Sequence, residues 1–387
     1  MSGERLDVDA LLDDRSVRVV VCTGSGGVGK TTCAAALALR AAERGRRAVV
    51  LTIDPARRLA QSLGLTELDN TPRPVAGVEG AAGGTLDAMM LDMKRTFDEV
   101  VEAHATPDKA RQILANPFYQ ALSSSFAGTQ EYMAMEKLGQ LRARTEPDGT
   151  DTWDLIVVDT PPSRSALDFL DAPERLGSFL DGRLLRLLLA PAKAGGRAYV
   201  RVFSAFAGGV TGLLNRLLGA QILGDLQMLL SAFDTMFGGF RERAERTYAL
   251  LKGPGSAFVV VAAPEHDAVR EAGYFVDRLQ VEGMPLAGVV VNRVTTSEEE
   301  HLDADAALEA AGRADGLTRE ALLVHARRVR RVVAERDVLA RLTRLRPPVP
   351  TVVVPARPLD VVDLDALRAV GADLAAGAAV PPAPLTP

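Results

Sequence analysis

The residues Thr23-Gly24-Ser25-Gly26-Gly27-Val28-Gly29-Lys30-Thr31-Thr32 carry the clearest chemistry in this chain. They fit G-x-x-x-x-G-K-[ST], the spacing of a phosphate-cradling P-loop. Gly24, Gly26, Gly27 and Gly29 allow backbone N–H groups to turn inward, and with Ser25 and Val28 they form a concave anion site. A helix starting at the lysine adds its free N–H groups and positive dipole end. Lys30 would reach the β- and γ-phosphates, and the Thr31 hydroxyl would join a Mg²⁺ shell. Thr32 is placed to donate to the α-phosphate. The motif works only between a strand and a helix, and both are legible. Arg18 to Cys22 is a short apolar, β-branched run, and Lys30 to Arg44 reads as an alanine-rich helix that Gly45 stops. The loop therefore binds a nucleoside triphosphate.

The elements that must position this loop alternate along the chain. Strands are expected at Val19–Cys22, Ala48–Ile53, Leu86–Leu91, Leu155–Val158, Ala257–Ala262, Ala287–Val291 and Val349–Val354. Most are continuous and apolar, as strands buried on both faces should be. Helical patterns lie between them, so the fold class is α/β, a doubly wound, mostly parallel sheet. A Pro/Gly-rich loop, Asn70 to Gly84, separates the second and third strands. Two helical insertions, at about 107–149 and 174–251, interrupt the alternation and suggest an α-helical subdomain within an ATPase domain spanning 17–374. Residues 1–16 read as an extension and 375–387 as an Ala/Pro tail. The segment from Thr295 to Arg346 is acidic first and then arginine-rich. It reads as one or two solvated helices joined by mutual ion pairs.

With 387 residues and 47% hydrophobic content, the chain can bury a large core. A net charge of −5 gives no global drive toward nucleic acid. The two cysteines, Cys22 and Cys33, flank the loop without C-x-x-C spacing, as reduced thiols of a cytoplasmic protein would. The first residues lead into an acidic segment with no apolar signal region, and no apolar run reaches membrane-spanning length.

Two strand ends carry acids. Thr52-Ile53-Asp54-Pro55-Ala56 places Asp54 after the second strand, and Asp159-Thr160-Pro161-Pro162 places Asp159 after another. In open parallel sheets ligands sit at the carboxyl ends of the strands, so the two should converge on the loop. Each alone reads equally well as a helix cap or turn former. Beside a P-loop, both suit Mg²⁺ coordination or orientation of an attacking water.

With these motifs the chain resembles the ArsA-type ATPases, a family that includes arsenite-pump ATPases and the ATPase that delivers tail-anchored membrane proteins. The resemblance runs from about Val17 to Leu374. It rests on Gly24–Thr32, on Thr52–Ala56 and Asp159–Ser163 as two switches, on Pro264-Glu265 with Glu271, and on Val290-Val291-Asn292. It implies that Asp54 activates the attacking water and that Asp159 lies in the Mg²⁺ shell. It also implies that Glu265 and Asn292 contact the nucleotide, Asn292 through adenine. Independently, Asn292-Arg293-Val294-Thr295 lacks the Asn-Lys-x-Asp pattern of a guanine site, which favours ATP.

The family's P-loop carries a second lysine where this chain has Ser25. In the family that lysine crosses a face-to-face dimer and neutralises transition-state charge in the other subunit. Ser25 supplies no charge, so the expectation is a heterodimer with a lysine-bearing homologous subunit in preference to a homodimer. Arg57 or Arg58 is the rival source of the cation. No C-x-x-C pair is available for a zinc staple, and two thiols beside the P-loop are too few for arsenite capture. Arg183 to Gly224 is apolar and basic. It reads as a packed helical surface, a groove for an apolar client, or a face against a membrane or membrane protein. The leading reading is thus a cytoplasmic, Mg²⁺-dependent ATPase, soluble or peripheral at the membrane, that works as a nucleotide-gated dimer. The alternative is a weakly catalytic regulatory subunit that binds nucleotide. A partition-type ATPase of the same superfamily is disfavoured by the helical insertion.

Overall fold

The computed structural model describes residues 4–53, 57–78, 83–117, 119–120, 123, 129–161, 242–297, 302–342 and 348–380. In chain order its first elements are α1 (Val8–Asp13), β1 (Val19–Thr23), α2 (Lys30–Glu43), β2 (Arg47–Thr52), α3 (Arg57–Ser62), β3 (Arg73–Pro74) and β4 (Thr85–Met90). There follow α4 (Met93–His104), α5 (Pro107–Leu114), α6 (Thr129–Ala143), β5 (Leu155–Asp159), β6 (Ser256–Ala262) and α7 (His266–Val281). The chain continues through β7 (Leu286–Val294), α8 (Ala304–Gly312), α9 (Gly316–Leu339), β8 (Thr351–Pro355) and α10 (Leu364–Ala376).

The described strands form one sheet in the order β3-β4-β2-β5-β1-β6-β7-β8. Every pairing is parallel except β3 with β4. The fold is therefore α/β with a mostly parallel sheet, as the alternating pattern requires. Each residue of β1, β5 and β6 is buried, which explains why these strands are continuous valine, isoleucine and alanine runs with no polar alternation. The alanines of α2, from Ala34 to Ala42, are buried too, and their small side chains let the helix lie close on the sheet.

The observed strands match the seven expected ones to within a residue or two at each end, except that β7 runs three residues beyond the expected Val291, to Val294. The addition is β3, two residues in the Pro/Gly-rich loop, at the sheet edge where the missing N–H of Pro74 costs no ladder bond. The acidic-to-basic segment forms α8 and α9. Ion pairs there include Arg330 with Asp305 at 3.2 Å and Arg331 with Glu335 at 2.7 Å.

The chain separates into two compact units, one of residues 1–91, 141–167 and 249–387, the other of residues 92–140 and 168–248. One holds the sheet. In the other, α4 is capped by Asp92, whose carboxylate accepts from Arg95 N at 2.9 Å. Inside this unit the buried Lys137 pairs with Glu99 at 2.7 Å, and Arg243 pairs with the buried Glu136 at 2.9 Å. The basic segment 183–224, most of the second expected insertion and residues 381–387 of the expected tail lie outside the described residues, whereas the tail's first residues close α10 and Val380 is buried.

Candidate nucleotide site

The parallel register decides what meets the P-loop. Asp159, the last residue of β5, stands level with Cys22 on β1 and with Thr52 on β2. Its carboxylate is thereby held at the carboxyl edge between the loop strand and β2. One of its oxygens, Oδ2, accepts from the Thr31 hydroxyl at 2.7 Å and from the Thr52 hydroxyl at 2.9 Å. Asp159 is fully buried. The next residue, Thr160, donates its hydroxyl to Cys22 O at 2.9 Å and locks the β5 end to β1.

The loop itself is built on left-handed backbone. Gly29, at φ 95°, caps α2, and a β-carbon there would lie 2.3 Å from the Asn292 amide nitrogen. At Gly24, φ 152°, a β-carbon would lie 2.1 Å from Val261 O on β6. Only glycine fits either position. Gly26 and Gly27 face solvent, whereas Val28 is buried and anchors the loop. Lys30 is buried and donates from Nζ to Ser25 O at 2.8 Å, so its ammonium is already folded over the loop it serves. Thr32 is half-buried in the first turn of α2.

The far side of the loop is braced by β7. A register irregularity between Val291 and Val294 turns two consecutive side chains toward the loop. Asn292 donates from Nδ2 to Val28 O at 2.9 Å, and Arg293 donates to Gly27 O. Arg293 pays for this reach with φ 62°, the left-handed region that non-glycine residues rarely occupy.

Glu265 caps α7 just beyond β6, on the same edge of the sheet. It is exposed, and its side chain makes no cap hydrogen bond. Glu271 is half-buried further along α7. Asp54 lies outside the described residues; the preceding Ile53 donates its N–H to Asp159 O at 3.0 Å. The side chains of Arg57 and Arg58 also lie outside what is described. The structure thus gathers the P-loop, Asp159 and Asn292, and it adds Thr52 and Arg293. Thr52 stands in a motif already noted, but its hydroxyl gains meaning only from the β2–β5 register. Arg293 was visible as the neighbour of Asn292, yet nothing in an arginine announces a left-handed backbone.

The oxygen set fits Mg²⁺, which takes one or two carboxylates, hydroxyls and substrate phosphates in preference to an all-protein cage. Thr31 and Asp159 would hold it, and the 2.7 Å contact between them puts both donors at one point. The cysteines take no part. Both are fully buried; burial first, then the Asp159 charge, pushes the Cys33 thiol up to about 12. Burial also raises Cys22 well above the usual thiol range, with Cys33 and Asp159 adding to it. An unfolded thiol ionises near about pH 8.5. Stability therefore falls as pH rises from there toward the folded value, because only the unfolded chain gains the thiolate. Iodoacetamide at pH 8 is expected to leave both cysteines unmodified in the folded chain and to alkylate both in urea. Stoichiometric labelling of the folded chain would contradict this burial.

The comparisons with known proteins agree with this geometry. The model of the anion-transporting ATPase (ArsA ATPase) family matches residues 17–311. "Uncharacterized protein SCO2128" of Streptomyces coelicolor is 34% identical over 195 residues, covering 50% of this chain and 45% of that protein. "ATPase GET3" of Malassezia globosa is 29% identical over 166 residues, 43% of this chain and 45% of its own. "ATPase ARSA2" of Chlamydomonas reinhardtii is 26% identical over 293 residues, 74% of this chain and 71% of its own. The chain spans about half the length of the first curated relatives it matches. With the family model covering most of its length and the P-loop braced as described, this chain belongs to the anion-transporting ATPase family.

Proposed function

We propose that the chain binds ATP with Mg²⁺, hydrolyses it, and works as a nucleotide-gated dimer. The observation that carries this reading is the meeting of the Thr31 and Thr52 hydroxyls on one Asp159 oxygen at the foot of the P-loop. Mg²⁺, when bound, neutralises charge on the β- and γ-phosphates. Lys30 leaves Ser25 O for the γ-phosphate, the loop N–H groups take the other phosphate oxygens, and Asp54 orients the attacking water. Asn292 supports adenine for a specific reason. One N–H of its Nδ2 is committed to Val28 O, and Oδ1 remains as an acceptor for a base. An acceptor there suits the exocyclic amine of adenine.

Asp159 bonds both Thr52 on β2 and Thr31 on α2, so loss of the γ-phosphate would be felt at two switch segments at once. The partner moved by this switch is proposed to be a membrane protein or an apolar client. Arsenite is not part of the proposal, because both thiols are sealed in the core.

Ser25 shapes the rest of the reading. Its hydroxyl is buried without a hydrogen-bond partner among the described residues, and it brings no cation to the site. We therefore propose a heterodimer in which a homologous subunit contributes a lysine in trans. The second reading, a regulatory subunit with little turnover, draws on the same missing charge. Ser25→Lys should raise ATP turnover of the purified chain by about tenfold or more, since a cation supplied across an interface is worth at least that much in related hydrolases. Equal turnover in the wild-type chain and the variant would rule out the missing-lysine account. ATP binding with no turnover in either, unchanged by Asp54→Asn, would select the regulatory reading.

A further inference from the structure

The carboxyl edge of the sheet carries a second feature, separate from the P-loop. An open cavity of about 500 Å³ lies where β7 and β8 end against α9. Thr295 and Thr296 line it from the β7 side, Arg357 from the β8 side, and Arg327, Arg328 and Arg331 from α9. No acidic side chain lines it among the described residues.

Three arginines within five positions of one helix repel one another, so their convergence weakens α9 unless something answers the charge. Part of the answer is internal. Arg331 pairs with Glu335 at 2.7 Å, and Arg357 pairs with Asp373. Glu335 is buried and also accepts from the Thr295 N–H at 2.7 Å and the Thr295 hydroxyl at 2.8 Å. Arg328 donates from Nε to Thr296 O at 2.6 Å, a contact that orients its guanidinium without neutralising it. Arg327 has no hydrogen-bond or ion-pair partner among the described residues. Among the described residues, two of the four guanidinium groups at the cavity therefore have no acidic partner.

The anchored arginines keep their remaining N–H groups for a ligand, and each is a rigid fork suited to an oxyanion. A phosphate group offers up to two negative charges and three acceptor oxygens, which matches donors arriving from three elements. The cavity has the size of a small-molecule site. We propose that it is a second phosphate-binding site, one that takes a phosphate-bearing small molecule or the phosphate of a lipid headgroup. The proposal does not depend on ATP hydrolysis at the P-loop.

The test uses the full chain carrying Lys30→Ala, so that the P-loop contributes little to phosphate affinity. Pyrophosphate binding is measured by titration calorimetry, and binding to phosphatidic acid vesicles by flotation. Arg327→Glu is then added, and separately Arg330→Glu, which alters a charge on the same helix that faces Asp305 instead. Thermal melts check that both variants fold. The expected result is binding of at least one probe that Arg327→Glu weakens about tenfold or more and Arg330→Glu changes by less than about twofold, as loss of a charge-assisted contact requires. Pyrophosphate binding identifies a soluble ligand, and vesicle binding alone identifies the lipid source. No binding of either probe, or equal weakening by the two charge reversals, would overturn the proposal.

Discussion

Replacing Lys30 with alanine is expected to cut ATP turnover by about a hundred- to a thousandfold, the cost of losing one preorganised donor to developing charge. Two effects combine. The first is the charge itself, which no other P-loop side chain supplies once Ser25 stands where the family has lysine. The second is preorganisation. The ammonium is buried and tied to Ser25 O at 2.8 Å, so the loop is already curled around the space a phosphate would fill. Removing it costs nucleotide affinity as well as rate. Lys30→Arg should not rescue, because a planar guanidinium cannot occupy the pocket of a compact ammonium. Steady-state phosphate release and nucleotide titration on the same preparations separate the two losses. Retention of more than about a tenth of wild-type turnover in Lys30→Ala would mean that chemistry does not occur at this loop.

The second large effect concerns stability. Arg46→Ala is expected to destabilise the fold by about 3 kcal/mol, the low end of the range for removing one partner of a buried charge pair, since Asp154 is only half-buried. Arg46 is 1% exposed. It donates to Leu12 O at 2.9 Å in the last turn of α1 and to Asp14 O at 3.1 Å just after it, to Val17 O at 2.7 Å before β1, and to Asp154 O at 2.6 Å before β5. It also pairs with the Asp154 carboxylate at 2.6 Å. One guanidinium thus fastens the amino-terminal ends of the central strands, opposite the nucleotide edge. Alanine would leave a cavity, a half-buried carboxylate and several unanswered carbonyls at once. Urea unfolding should show a lower midpoint with an unchanged slope. A shift worth less than about 1 kcal/mol would show that water or Arg15, which also reaches Asp154, fills the role.

Much of this arrangement was legible before any coordinates. The valine runs of β1, β5 and β6 could only be strands buried on both faces, and the glycine spacing with Lys30 left little choice of ligand class. Asp159 could be placed because an acid that closes an apolar run beside a P-loop has few other uses. Other features were hidden for definite physical reasons. The short edge strand β3 has too few residues for any periodicity, and its proline argues against a strand. The convergence of Thr52 on Asp159 depends on register, which a sequence of uniformly apolar strands does not encode. The left-handed Arg293 is imposed by the irregular end of β7 and contradicts its own local preference. Arg46 carries no local signal of its role, because its five bonds reach four residues far away in sequence, from Leu12 to Asp154. The arginines of α9 invited pairing with the acids before them. Arg330 does pair that way, whereas Arg327 and Arg328 turn toward the ends of β7 and β8.

The most direct test of the proposed ATP chemistry is single-turnover conversion of labelled ATP by an excess of the purified full chain. The account predicts that bound ATP becomes ADP and phosphate when Mg²⁺ is present. It predicts no conversion in EDTA, conversion slowed about a hundredfold or more with Lys30→Ala, and no conversion of GTP under the same conditions. Intact ATP remaining on the wild-type chain, or equal conversion by Lys30→Ala, would contradict it.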